Sequence, residues 1–122
     1  MAQDPSRRVL AWQAAWESRD PDKVAALYAG NATHASAVVT QLYPEIKASV
    51  LKGREQVREY ARRGFARFTH LRFELLTVVE SDSAAAVEYL RHSNIDADQP
   101  KHVLELLEWD GELVRACRVF HS

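Results

Sequence analysis

Glu105 lies in the run Val103-Leu104-Glu105-Leu106-Leu107-Glu108-Trp109, an acidic side chain among large apolar ones. Read as a strand, the run places Val103, Glu105, Leu107 and Trp109 on one face. A carboxylate buried there unpaired would cost several kcal/mol, so it must be paired, protonated or turned into a cavity. The first arrangement is structural. The other two make Glu105 an acid or base whose pKa is tuned by burial. Arg118 is the cation that the following strand offers for pairing. His34 carries the imidazole whose ordinary pKa suits proton transfer near neutrality. The histidines His34, His70, His92, His102 and His121 have no close ligand spacing, and neither a metal nor another cofactor is expected. Cys117, the single cysteine, reads as a small buried hydrophobe.

The elements that must position these groups follow from local signals. Asp4-Pro5 predicts a helix start, and Val9, Trp12, Gln13 and Trp16 recur at helical spacing, presenting two indoles on one face. Asp20-Pro21 repeats the signal for a short second helix carrying Val24, Leu27 and Tyr28 and ending near Gly30-Asn31. Small and β-branched residues predict a strand over 32–40, a loop around Pro44, and an extended segment over 49–52. Gly53 opens a third helix with Val57, Tyr60, Ala61, Gly64 and Phe68 on one side. Arg54, Arg58, Arg62 and Arg63 form its solvated side. Four strands follow: one from Leu71, then 84–92, 102–109 and 112–121, the last two joined by Asp110-Gly111.

If Asp110-Gly111 is the two-residue turn, Trp109 opposes Glu112, Leu107 opposes Val114, Glu105 opposes Ala116 and Val103 opposes Arg118. Val103, Glu105, Leu107, Trp109, Val114, Ala116, Arg118 and Phe120 then share the helix-covered face, with Glu105 and Arg118 as diagonal neighbours. The opposite face, with Leu104, Leu106 and Val119, is also largely apolar, which predicts a homodimer through the outer side of the sheet.

The chain has 122 residues, a formal net charge of −1, 47% hydrophobic and 27% charged residues, as one globular domain over 1–122 would. With no basic excess, nucleic acid and acidic membranes are not expected partners. Met1 to Arg8 is polar, without a signal-peptide pattern, and no stretch has the roughly 20 apolar residues of a spanning helix. The expected setting is cytoplasmic.

Several strings bear a family likeness. They are Trp12-Gln13-Ala14-Ala15-Trp16, the segment from Asp20 to Tyr28, Asn31-Ala32-Thr33-His34, the segment from Gly53 to Tyr60, and the Trp109-Asp110-Gly111 hairpin. In these the chain resembles the nuclear-transport-factor-2-like superfamily, and within it the SnoaL-like polyketide cyclase and ketosteroid isomerase branch. The resemblance implies an α+β, cystatin-like fold, a cone-shaped curved antiparallel sheet wrapped around three helices of the N-terminal half.

Residue by residue, the resemblance carries over unevenly. The general-base aspartate of ketosteroid isomerases falls on Ser36, their helix-borne tyrosine donor on Trp12, and their protonated acid on Glu105. The last-strand aspartate of limonene-epoxide-hydrolase relatives falls on Arg118. The resemblance also turns His34, Ser36 and Val38, and Val87, Tyr89 and Arg91, towards a pocket. A His34–Glu105 pair would abstract a proton beside a carbonyl, with Arg118, Tyr89 or Trp12 stabilising the enolate. Trp12, Trp16, Tyr28, Ser36, Tyr60, Tyr89, Leu107, Trp109 and Phe120 are the expected wall around a small hydrophobic molecule. Two functions stay open. One is a cofactor-independent isomerase, cyclase or lyase acting on a hydrophobic carbonyl compound. The other is a non-catalytic module that binds a ligand or a protein.

Overall fold

The computed structural model describes residues 4–42 and 50–122. Its elements run α1 (Arg7–Glu17), α2 (Pro21–Ala26), β1 (Tyr28–Ser36), α3 (Ala37–Leu42), β2 (Val50–Lys52), α4 (Arg54–Phe65), β3 (Leu71–Glu80), β4 (Ala84–Ser93), a 3-10 turn (Asn94–Asp96), β5 (Lys101–Asp110) and β6 (Leu113–His121). The six strands form one curved, unclosed sheet in the order β2-β1-β6-β5-β4-β3. Four pairings are antiparallel and the β1–β6 pairing is parallel, so the sheet is mixed rather than purely antiparallel.

Local chemistry accounts for most boundaries. The first helix is capped by Ser6, whose Oγ accepts from the Val9 N–H at 3.3 Å, not by Asp4. Asp20 caps α2 as expected, accepting from the Asp22 N–H at 2.9 Å with Pro21 in the first turn. The second helix ends earlier than predicted, because Tyr28 already belongs to β1. The strand expected over 32–40 instead starts at Tyr28 and gives way to α3 at Ala37, a fourth helix. The loop expected around Pro44 lies partly outside the described residues. Gly53 enters α4 at φ +89°, a conformation costly for other residues, and its N–H meets the Ala32 carbonyl at 2.7 Å.

The helices cover one face of the sheet. From α1 come Val9, Trp12 and Ala15, from α4 Val57, Ala61 and Phe65, and from the strands Phe73, Val87, Tyr89, Val103, Leu107 and Val114, together forming the main core. Gln13 and Glu17 fasten α1 to β3 by bonding both sides of the Phe73 backbone at 2.8 and 2.7 Å. The arginine side of α4 is tied up locally: Arg58 pairs with Asp22 and Glu55, and Arg62 and Arg63 with Glu59.

The last hairpin corrects the predicted register. Gly111, at φ +59°, takes the first central position of the turn and Asp110 opposes Leu113, as a type II′ loop with glycine first requires. Trp109 therefore opposes Val114. A bulge then leaves Arg115 without a partner, so Glu108 opposes Ala116 and Glu105 opposes Val119. One extra residue reverses every side chain beyond it. Cys117 is buried and Val119 turns inward, whereas Phe120 is 52% exposed. Arg118 joins Arg115 on the outer face, bonding Glu108 at 2.8 and 2.6 Å. The expected Glu105–Arg118 pair is not formed.

Candidate functional site

A cavity of about 80 Å³ lies between the helices and the sheet. Trp16, Tyr60 and Phe65 line it from α1 and α4, His34 and Ser36 from β1, and Val38 and Leu42 from α3. Phe73, Tyr89, Arg91, Glu105, Val119 and His121 close it from the sheet. His34, Ser36 and Val38 thus meet there as expected, although Val38 arrives on a helix. Bends in β1 and β6 make this possible: the β1–β6 register shifts between Tyr28 and Thr33, after which His34 lies beside Cys117.

Glu105 is 6% exposed and has no cationic partner among the described residues. Its carboxylate accepts from the Tyr89 hydroxyl at 2.5 Å and from the Cys117 thiol at 3.2 Å. Burial raises the Glu105 pKa, and the hydroxyl, the thiol and the Trp12 indole oppose that rise. The Trp12 N–H acts from outside hydrogen-bonding geometry. Desolvation thus outweighs three donors, and Glu105 is a stronger base than an exposed glutamate.

His34 does not touch Glu105 directly. Its Nδ1 lies 3.3 Å from the Tyr28 hydroxyl, a contact whose direction follows the tautomer of the ring. The other ring nitrogen, Nε2, is buried with no partner among the described residues. Burial lowers the His34 pKa to about 4, so the ring is neutral near neutrality. The imidazole packs against Tyr60 at 5.0 Å and Trp16 at 6.1 Å. The Trp16 indole N–H is likewise buried without a partner, on a ring that lines the cavity.

The remaining expected wall residues divide by position. Trp16, Ser36, Tyr60 and Tyr89 line the cavity; Trp12, Tyr28, Leu107 and Trp109 form the core behind it. Trp109 is covered by the Arg8 guanidinium at 4.8 Å instead. Phe120 and Arg118 stand on the opposite side of the sheet, a correction that follows from the Arg115 bulge. Sequence reasoning missed Cys117 as a partner of Glu105, and Val119 and His121 as cavity residues. All three lie beyond the bulge, and no sequence signal marked it.

A family model described as a SnoaL-like domain matches residues 9–120. No curated protein matches the chain. Among solved structures, a SnoaL-like protein of unknown function from Burkholderia thailandensis E264 is 21% identical, with a TM-score of 0.76 over 93% of this chain and 89% of that one. A hypothetical protein with a ketosteroid isomerase-like fold from Catenulispora acidiphila DSM 44928, in complex with trimethylamine, is 20% identical with a TM-score of 0.76. That match covers 98% of this chain and 88% of the other. An uncharacterized cystatin fold protein from Novosphingobium aromaticivorans is 15% identical, with a TM-score of 0.71 over 93% and 94% of the two chains. These likenesses establish the α+β fold.

Proposed function

The chain belongs to the SnoaL-like domain family, and from that premise we propose that it binds a small hydrophobic carbonyl compound and moves a proton beside the carbonyl. The observation that carries this reading is Glu105: a carboxyl with no counter-cation among the described residues, buried against a cavity and held by Tyr89 and Cys117. Such a group, its pKa raised by burial, is poised for general-base catalysis. In the proposed step Glu105 takes the α-proton, the C–H electrons pass into the carbonyl π system, and the oxygen becomes an enolate. The Trp16 N–H and the Tyr60 hydroxyl supply donors on the same cavity wall. Return of the proton to another carbon completes an isomerisation without a cofactor.

The test is deuterium uptake from D2O at the α-carbon of a panel of aryl and alkyl methyl ketones, followed by mass spectrometry. The wild type should exchange above background, and Glu105→Gln should lose about 100-fold or more. Equal rates in wild type and Glu105→Gln overturn the reading.

The alternative, a module that holds a ligand without turnover, is favoured by one observation. His34 at a pKa of about 4 is too weak a base near neutrality to share the work. Ligand binding without exchange for any ketone would select it. The proposal also includes a homodimer through the outer sheet face, where Leu76, Val79, Leu104 and Phe120 are exposed. A monomer by light scattering at micromolar concentration would remove that part. The proposal also takes the setting to be cytoplasmic, where a lone reduced thiol such as Cys117 persists. No helix among the described residues is long and apolar enough to cross a membrane.

A further inference from the structure

The inner cavity of about 80 Å³ is small beside the roughly 300–1,000 Å³ of ordinary ligand sites. A guest of ordinary size that reaches Glu105 must therefore leave part of itself outside. Directly outside lies a second hollow of about 430 Å³, lined by Ala37, Val38, Gln41, Arg67, Arg91, Ile95, Asp96, Lys101 and His121. The two hollows share Val38, Arg67, Arg91 and His121, so these residues form the threshold between them.

The vestibule is cationic. Among the described residues, Arg67, Arg91 and Lys101 face a single carboxylate, Asp96, an excess of two positive charges with His121 neutral. Asp96 is spent on Arg91, which it holds through Nε and Nη2 at 2.8 and 2.9 Å, and it is itself fixed by the Ser93 hydroxyl at 2.6 Å. The Arg91 guanidinium also lies over the Phe68 ring at 5.4 Å. It is thus locked in place with Nη1 making no hydrogen bond among the described residues. Arg67 and Lys101 form no ion pair among the described residues. His121 registers the same field: after desolvation, Arg91 and Lys101 are what lower its pKa, against an opposing pull from Asp96.

We propose that this vestibule is an anion site and that the ligand is an amphipathic organic anion, its carboxylate held by Arg67, Arg91 and Lys101 and its apolar body directed through the threshold towards Glu105. A planar carboxylate suits the free edge of a preorganised guanidinium. The chemical class is an apolar carbonyl compound bearing a carboxylate. The inference deepens the proposed function and rests on its pocket, but the cationic excess is independent of whether any proton moves.

The experiment compares 4-phenylbutyrate with its uncharged analogue 4-phenylbutanol, titrated into the full chain at low salt and followed by NMR shift changes. The butyrate should bind about tenfold or more tightly than the alcohol. It should perturb Arg91, Lys101 and His121 together with inner residues such as Val119. Lys101→Gln, which touches the outer hollow alone, should weaken the butyrate several-fold and leave the alcohol unchanged. Folding of each variant is checked by circular dichroism. As a second readout in the unmodified chain, the His121 pKa should rise with the butyrate bound and stay put with the alcohol. Equal affinity for both compounds, with shifts confined to the inner cavity, overturns the anion site and leaves the pocket standing. Binding of neither overturns both. Ketone exchange abolished in Glu105→Gln while the butyrate preference persists shows the two inferences to be separable and supports this one.

Discussion

Replacing Tyr89 by phenylalanine removes one donor from a buried carboxylate and almost nothing else. The ring stacks on Phe73 at 4.4 Å and meets Trp12 edge-on at 5.6 Å, contacts that phenylalanine retains. What leaves is the 2.5 Å hydrogen bond to Glu105. A bond to an ionised group is worth about 1.5–3 kcal/mol, against about 1 kcal/mol between neutral groups. The thiol of Cys117 remains but is a weak donor. Because burial already holds Glu105 above its ordinary pKa, losing a donor to the charged form pushes it further up. The penalty is therefore pH-dependent. Above the raised pKa, where the native carboxyl is charged, the variant should lose about 1.5–3 kcal/mol; as pH falls through it, the loss should shrink to about 1 kcal/mol. Wild-type stability should itself decline as pH rises from the ordinary glutamate value through the raised one, since the unfolded chain gives up its proton first. Urea unfolding across this range, with carbon-13 NMR of the Glu105 carboxyl, measures both quantities. A penalty independent of pH, with an unmoved Glu105 titration, would refute the reasoning.

His34 should give an opposite slope. Its pKa near 4, against 6.5 unfolded, means that stability is lost as pH falls between those values, by about 3 kcal/mol in total, and His34→Asn should flatten that part of a pH series of urea melts. Leu107 is fully buried behind the cavity rather than on its wall, so Leu107→Ala should cost about 2–5 kcal/mol by denaturant titration, and a loss under 1 kcal/mol would contradict that placement. Deleting Arg115 should regularise the last hairpin without turning Cys117 outward, because Val114 and Cys117 would then be separated by one residue. A thiol that becomes readily modified by an aromatic disulfide reagent would refute this.

The sequence carried the broad order of helices and strands, because proline-initiated helices, a glycine-opened helix and alternating strands are signalled within a few residues. It also carried the inward parity of β5, since Val103, Glu105, Leu107 and Trp109 obey the pleat without interruption. What it did not carry was the face of β6. A bulge at Arg115 is a single unpaired residue whose neighbours have ordinary strand propensities, and one such residue exchanged Arg118 and Phe120 for Cys117 and Val119. The short helix α3 was hidden for a related reason: Val38 and Val39 favour strands, and tertiary packing over Leu51 and Tyr60 overrides that preference. The partner of Glu105 was consequently misread as an arginine. The correct partners, Tyr89 and Cys117, required three strands in register.

The position of β6 bears on how the polypeptide reaches this state during synthesis. It is the last of the six strands to leave the ribosome, yet it lies between β1 and β5 in the middle of the sheet. Until it emerges, no strand joins the β2-β1 pair to the β5-β4-β3 meander, and the two parts of the sheet are connected through the helices alone. A nascent chain arrested before Leu113 should therefore recruit chaperones and resist compaction, however complete its first five strands are. Closure of the sheet therefore waits for its last strand. The chamber around Glu105, which needs Cys117 and Val119, comes into being only at that final closure.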